Sequence, residues 1–369
     1  MLTQEELELY NRHILLDELG IEGQLKIKSS NVLVIGAGGL GCSVLQYICA
    51  AGVGNIGIVD NDVVDKSNLQ RQILYGYSSI GELKTEEAKK RLNEINPLSN
   101  INIHSCTIDV SNSIELISQY DIIVDCTDNY QTRYLINDTC YMLNKVLVYG
   151  AIYKFEGQIS VFNYKDGPTY RCLYPEMPKN ASITNCSESG VIGVLPGIVG
   201  TLQANEVIKL ITGIGESLSG KLLIFNGLTS QFNCFNVNPQ NHNHYKLIEQ
   251  RNKLIAEDYS ISCDNLNIEE IEFEEFMNLM KEPIQIIDVR EYEEHPKITQ
   301  FDTLKIPLNE ISERVSEIDK DIKTVVFCKG GVRSREAIIQ LQNNHSFSNL
   351  INLSNGIQSC YIKLENELK

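Results

Sequence analysis

Residues suited to chemistry on a nucleotide phosphate fall in three groups in the N-terminal part of the chain. In the first, the apolar run Val32-Leu-Val-Ile35 leads straight into Gly36, Gly38, Gly39 and Gly41. A strand, glycine turn and helix in this order make an anion site. The glycines let backbone N–H groups approach a phosphate, and the helix N-terminus favours negative charge. In the second, Ile56-Gly-Ile-Val59 ends on Asp60, nineteen residues beyond Gly41, where a strand-end acid hydrogen-bonds a ribose hydroxyl. In the third, Asn68, Arg71, Gln72 and Lys84 supply amides and cations, and Asp128-Asn129 follows the apolar run Ile122-Ile-Val124.

A dinucleotide fold used for hydride transfer leaves Arg71, Lys84 and Asp128 without a task. A triphosphate attacked at phosphorus uses all three: the cations neutralise charge on the phosphates, and the acid holds Mg²⁺. A Walker-type loop is excluded, since Gly76 and Gly81 are correctly spaced but Glu82 stands where the lysine belongs. The residues therefore predict ATP with Mg²⁺, and adenylation in preference to hydride transfer. Asp125 reads as structural and Asp128 as functional, because ligands gather where the chain leaves the sheet.

A second kind of chemistry is written around Cys328. The apolar run Thr324-Val-Val-Phe327 ends on this cysteine, and Lys329-Gly-Gly-Val-Arg333-Ser334 follows at once. Backbone N–H groups, a helix dipole, Lys329 and Arg333 would all favour a thiolate.

Strand and helix patterns alternate along the first part, as positioning such residues at strand ends requires. Strands are predicted near residues 32–36, 56–60, 101–103, 122–126 and 146–150, with helices near 40–51, 84–95, 112–119 and 131–143. That order predicts an α/β fold with a mostly parallel sheet covered on both faces. Gln158-Ile-Ser-Val-Phe162 alternates like an antiparallel strand, residues 163–188 read as a long loop, and a helix follows from about Leu195 to Leu210. Lys221 to Phe235 adds strand pattern, and a polar segment after it reads as a linker. The expected organisation is a domain over residues 1–245, a linker over 246–267 and a small α/β domain over 268–369.

Composition excludes several partners. The chain has 369 residues and a formal net charge of −16, with no basic stripe to hold nucleic acid. The N-terminal Met1-Leu-Thr-Gln-Glu-Glu carries acids where a signal peptide is positive. The longest uncharged stretch, Ser189 to Asn205, contains Pro196 and several glycines and suits a buried helix better than a membrane span. Eleven cysteines without a C-x-x-C pair argue against a disulfide framework, and Cys42, Cys49, Cys106, Cys126 and Cys140 are expected in the core. A cytoplasmic protein is expected.

The runs GAGGLGC, VD-x-D, SNLQRQ, G-x-x-K, DCTDN and GQISVF, in this order, resemble the E1-like family that includes MoeB and ThiF, over about Glu5 to Phe235. The resemblance implies a Rossmann-like adenylation domain that uses ATP and Mg²⁺ to activate the C-terminal glycine of a ubiquitin-like sulfur carrier. It further implies that Gly39 and Asp60 contact the nucleotide, that Asn68, Arg71 and Lys84 contact its phosphates, and that Asp128 binds magnesium. Arg12 matches an arginine reaching into a neighbouring subunit's site, which implies a homodimer. Cys186 matches a loop cysteine able to bond the carrier covalently.

Asp288-Val-Arg290 followed by Cys-x-Gly-Gly-x-Arg-Ser334 resembles the rhodanese family, over roughly residues 268–362, and implies a persulfide on Cys328. The spacing of Cys328 and Arg333 is C-x4-R, shorter than the C-x5-R loop of tyrosine phosphatases, and favours sulfur over phosphorus. Tyr361 stands near where that family usually has tryptophan. The sulfur donor this implies is thiosulfate or a cysteine desulfurase persulfide.

Many relatives of the first domain bind structural zinc with two C-x-x-C pairs. Here Thr169 and Cys172 occupy the first pair and Asn241 and His244 the second, with His242 nearby, so no zinc site is expected. The favoured function is adenylation of the carrier followed by sulfur transfer from Cys328 to give a thiocarboxylate. The alternative is a stand-alone thiosulfate sulfurtransferase with a vestigial nucleotide domain. Molybdopterin, thiamine and tRNA-thiolation carriers all remain open.

Overall fold

Five β-branched apolar runs form the parallel half of an eight-stranded sheet: β1 (Asn31–Ile35), β2 (Asn55–Val59), β3 (Asn100–His104), β4 (Ile122–Asp125) and β5 (Val146–Tyr153). The chain then turns back through β6 (Glu156–Phe162), β7 (Lys221–Asn226) and β8 (Gln231–Asn236), all antiparallel to their neighbours. Strand order is β3-β2-β1-β4-β5-β6-β7-β8. These features come from a computed structural model that describes residues 1–178, 190–240, 242–251, 253–259 and 268–357.

Helices α1 (Gln4–Leu9), α2 (Asn11–Ile14) and α3 (Gly20–Ser29) precede the sheet. Three longer helices, α4 (Gly39–Ala50), α5 (Lys84–Ile95) and, past the short α6 (Ser113–Ser118), α7 (Tyr130–Met142), complete the crossovers. Val32, Val34, Ile56 and Ile58 pack on one face of the sheet and Leu33, Ile35, Val59 and Ile123 on the other, so both faces are buried, as parallel strands require.

Residues 163–178 are not the plain loop expected from sequence. They contain α8 (Tyr170–Leu173), and the Tyr134 hydroxyl donates to the carbonyls of Tyr174 (3.0 Å) and Glu176 (2.7 Å). The uncharged stretch becomes α9 (Leu195–Thr212), whose Leu195, Val199 and Val207 are fully buried in the core.

The linker expected over residues 246–267 is also corrected. Helix α10 (Asn243–Arg251) and the turn at Ala256–Tyr259 put Tyr245, Ile248, Leu254 and Tyr259 into the first unit's core. Polar composition concealed three apolar anchors within that stretch, Ile248, Leu254 and Tyr259. Contacts divide the chain into two compact units, with the described residues from 268 onward in the second.

The second unit is a five-stranded, wholly parallel sheet in the order β11-β10-β12-β13-β9. Its strands are β9 (Glu269–Ile271), β10 (Gln285–Asp288), β11 (Leu304–Lys305), β12 (Thr324–Phe327) and β13 (Leu350–Leu353). Helices α11 (Phe273–Leu279) and α12 (Val332–His345) accompany it. Separate apolar clusters, one around Ile287 and Val326 and one around Phe276 and Phe327, cover its two faces.

Candidate functional site

At the carboxyl ends of β1, β2 and β4 lies a cavity of about 560 Å³, the size of a nucleotide cleft. Strand β1 has β2 on one side and β4 on the other, so the cavity sits where strand order reverses, the usual ligand position in an open α/β sheet.

The glycine turn shapes its floor. Gly36 has φ +97°, and a Cβ there would meet the Cys126 carbonyl oxygen at 2.7 Å. A Cβ on Gly38 would find only Gln72 Nε2, at 3.7 Å, so Gly38 leaves room for a ligand, and Gly39 lines the cavity beside it. Gly41 does not line the cavity: a Cβ there would sit 2.0 Å from the Gly36 carbonyl oxygen. The sequence reading of Gly41 as a cofactor contact is therefore corrected to a helix–turn packing role.

Asp60 holds the same turn. Its Oδ2 accepts from Ala37 N (2.7 Å) and its Oδ1 from Asp62 N (2.8 Å). Ionised carboxylate oxygens have further lone pairs for a ribose hydroxyl. Burial raises the Asp60 carboxyl above its ordinary range, opposed by nearby Lys84 and the two N–H donors. Gln72 is 4 % exposed, and its buried Oε1 has no hydrogen-bond partner among the described residues. A buried acceptor of this kind suits a ligand O–H donor.

The expected cations and second acid line the same space. Arg71 donates from Nη1 to the Ser67 carbonyl (3.1 Å), Asn68 accepts from Asp65 N (3.0 Å), and Lys84 Nζ lies 2.7 Å from Asp62 Oδ2. Asp128 is exposed at the cavity lip, while Asn129 both lines the cavity and caps α7 by accepting from Thr132 N (2.9 Å). Asp125 is buried and accepts from the Thr127 backbone N and hydroxyl, as a structural residue would.

Several cavity residues were missed in the sequence. Arg133, 5 % exposed, donates from Nη2 to the Thr127 carbonyl (2.7 Å). Its i,i+4 spacing from Asn129 on α7 was a legible signal. Ile35, Val59, Cys106 and Ile108 supply an apolar wall suited to a flat base, so Cys106 is half-buried at the cavity and not the core residue expected. Arg12 is exposed on α2 and does not line the cavity of its own chain. Cys186 lies outside the described residues.

In the second unit Cys328 follows β12 and is 1 % exposed. Its Sγ accepts from Gly331 N (3.1 Å) and from the Ser334 hydroxyl (3.5 Å). The turn after β13 closes over it, with Ile357 N donating to the Cys328 carbonyl (2.9 Å). The expected help from Arg333 is corrected: its guanidinium is bidentate to Glu294, at 2.5 and 2.9 Å. Burial pushes the Glu294 carboxyl up, but hydrogen bonds from Arg333 and the Glu291 backbone outweigh it and hold the pKa at about 2. Arg290 pairs with Asp288 in the same bidentate way, at 2.9 and 2.7 Å.

The positions compared with a zinc site do other work. Cys172 Sγ accepts from Thr169 N (3.4 Å) and Gln240 N (3.3 Å). His244 Nε2 turns to Asp138 Oδ2 (2.9 Å), which also takes Arg171 (2.7 Å) and the Tyr259 hydroxyl (2.9 Å). Burial works to raise the Asp138 pKa, yet Arg171 and His244 hold it below the ordinary value. His242 lines a separate cavity of about 670 Å³ with Cys172, and Asn241 lies outside the described residues.

A nucleotide-sized cleft at the switch point of one α/β sheet, and a loop-cradled cysteine at a strand end of another, define a two-part class. It joins a Rossmann-like nucleotide domain to a sulfur-handling one. Residues 10–247 match the ThiF family and residues 272–362 the rhodanese-like domain. The chain belongs to the ThiF family and carries a C-terminal rhodanese-like domain.

It is 39% identical to the probable adenylyltransferase/sulfurtransferase MoeZ of Mycobacterium tuberculosis, over 96% of this chain and 93% of that protein. It is 41% identical to the probable molybdopterin-synthase adenylyltransferase of Porphyra purpurea, covering 89% and 87%. It is 38% identical to the adenylyltransferase and sulfurtransferase MOCS3 of Drosophila sechellia, covering 93% and 80%. Among solved structures, E. coli MccB with ATP shares the fold, with TM-score 0.53 and 21% identity over 59% of this chain and 67% of that one.

Proposed function

We propose that this protein is an adenylyltransferase and sulfurtransferase that activates a ubiquitin-like sulfur carrier. The carrying observation is one cavity lined by the glycine turn, Asp60, Arg71, Lys84 and Asp128. The carrier's terminal glycine carboxylate attacks the α-phosphorus of ATP, and pyrophosphate leaves. Arg71 and Lys84 offset the charge on the departing phosphates, which the low-dielectric cleft makes effective. Asp128 would hold magnesium, which supplies a further positive charge there when bound.

The terminal sulfur of a persulfide on Cys328 then attacks the acyl carbon, and AMP leaves. A second thiolate attacks Cys328 Sγ, frees the thiocarboxylate and forms a disulfide, and Cys186 is proposed as the loop cysteine able to bond the carrier covalently. Gly331 N–H and the Ser334 hydroxyl stabilise negative charge on Cys328 in this scheme. A stand-alone sulfurtransferase would leave the assembled nucleotide cavity without a use. The name of the Porphyra relative favours a molybdopterin-synthase carrier. The eight cysteines among the described residues are all free thiols, which suits a reducing, cytoplasmic setting.

The test is ATP–pyrophosphate exchange with a panel of purified ubiquitin-like proteins ending in Gly-Gly. Exchange that depends on one of them is expected, and exchange with none would overturn the reading.

We further propose a homodimer in which Arg12 serves the partner's cavity. Leu9, Leu15, Leu16 and Ile21 are 50–64% exposed on the same N-terminal segment, which supports an interface there. Mixing inactive Arg12→Ala and Arg71→Ala chains should then restore activity. Half the dimers are mixed and each has one intact site, so about a quarter of the wild-type rate is expected. No recovery on subunit exchange would refute the shared site.

The segment around Cys172 is tied by the buried Arg171–Asp138 pair, and we propose that zinc is not needed there. Arg171→Met should cost about 3 kcal/mol of stability, the scale for removing one partner of a buried pair. A strong chelator should leave the wild-type melting temperature unchanged, and metal analysis should find far less than one zinc per chain. Because the folded Asp138 pKa lies below its unfolded value, stability from this pair is present above about pH 4 and lost as pH falls below that. Stoichiometric zinc lost with His242 or His244 would show a rearranged metal site.

A further inference from the structure

Lys84 is the first residue of α5, where a cation opposes the helix dipole, yet its side chain is only 6% exposed. Its ammonium is held by Asp62, the second acid of the VD-x-D run, to which no role is assigned above. Lys84 Nζ lies 2.7 Å from Asp62 Oδ2, and Lys84 N donates to the Asp62 carbonyl (3.0 Å). The two segments are zipped further by Val64 N to Glu82 O and Gly81 N to Val64 O, both 2.9 Å. Asp62 N in turn donates to Asp60 Oδ1 (2.8 Å), so the lysine anchor is coupled to the acid at the ribose position.

We propose that Asp62 is a positioning residue for adenylation, an inference that rests on the adenylation reading. An ammonium has three N–H donors, so one bond to Asp62 leaves two for phosphate oxygens. The anchor keeps Lys84 from settling fully onto the bound triphosphate and reserves its attraction for the charge of the departing pyrophosphate. Only interactions stronger in the transition state than in the ground state raise kcat. The Asp62 carboxylate also repels the phosphates, so it weakens ATP binding while it speeds the reaction. A purely structural role is a poor account of a side chain 63% exposed.

The test uses the full chain with whichever carrier supports exchange. Asp62→Asn should lower kcat roughly 30-fold, short of the ~100-fold cost of misplacing a catalytic group by 1 Å, while KM for ATP stays level or falls. Carrier-free ATP binding by calorimetry should be equal or tighter, and Asp62→Glu should recover part of kcat. The Asp62→Asn/Lys84→Ala double variant should be no slower than Lys84→Ala alone, since the two act as one unit. Unchanged kcat, a raised KM with kcat intact, or fully additive losses would overturn the assignment. Wild-type protein without exchange on any carrier would instead defeat the adenylation reading itself.

Discussion

Replacing Arg71 by alanine is expected to lower carrier-dependent ATP–pyrophosphate exchange by at least ~100-fold, the scale for losing one oriented charge stabiliser. That corresponds to about 2.7 kcal/mol of transition-state stabilisation. The side chain is half-buried on the cavity wall, with one bond to the Ser67 carbonyl. Its removal leaves no buried charge uncompensated, so the melting temperature should stay near wild type. Activity and stability are thereby separated. If Arg71 acts on the departing phosphates, kcat and kcat/KM fall together, whereas a ground-state contact would raise KM alone. Exchange within about threefold of wild type, the scale of a lost surface contact, would sink the assignment.

The second large effect is expected at Cys328. Cys328→Ala should abolish sulfur transfer from thiosulfate or a persulfide donor and leave pyrophosphate exchange intact. The separation is physical: the apolar clusters around Cys328 and Phe327 share no residue with those that hold the nucleotide cavity. Alanine does leave Gly331 N–H without its acceptor, a loss on the order of 1–3 kcal/mol confined to that unit. Cys328→Ser retains an acceptor and controls for it. Loss of exchange in both variants would contradict the proposed division into activation and transfer.

Much of the architecture was legible because the signals are local. β-branched runs such as Ile122-Ile-Val124 bury on both faces, and their alternation with helical periods specifies a parallel sheet without knowledge of distant contacts. Gly36 was legible for the same reason, since its left-handed φ of +97° at a strand end is a condition on one residue. Residues 246–259 were misread because local polarity outweighed a few anchors, and Ile248 and Leu254 reveal their role only against the core they enter.

Two α/β units, a glycine turn leading to a strand-end acid, and a cysteine at the mouth of a glycine-rich loop are all readable from local residue order. These depend on backbone sterics and hydrophobic period, which short stretches of chain encode. Which charge meets which is settled by long-range packing. Arg333 goes to Glu294, 39 residues earlier, and Asp138 gathers Arg171 and Tyr259, the latter 121 residues away. Lys84 goes to Asp62, 22 residues earlier. A cation's identity is written in the sequence, but its partner is set by distance and burial, and those exist only after distant segments have packed.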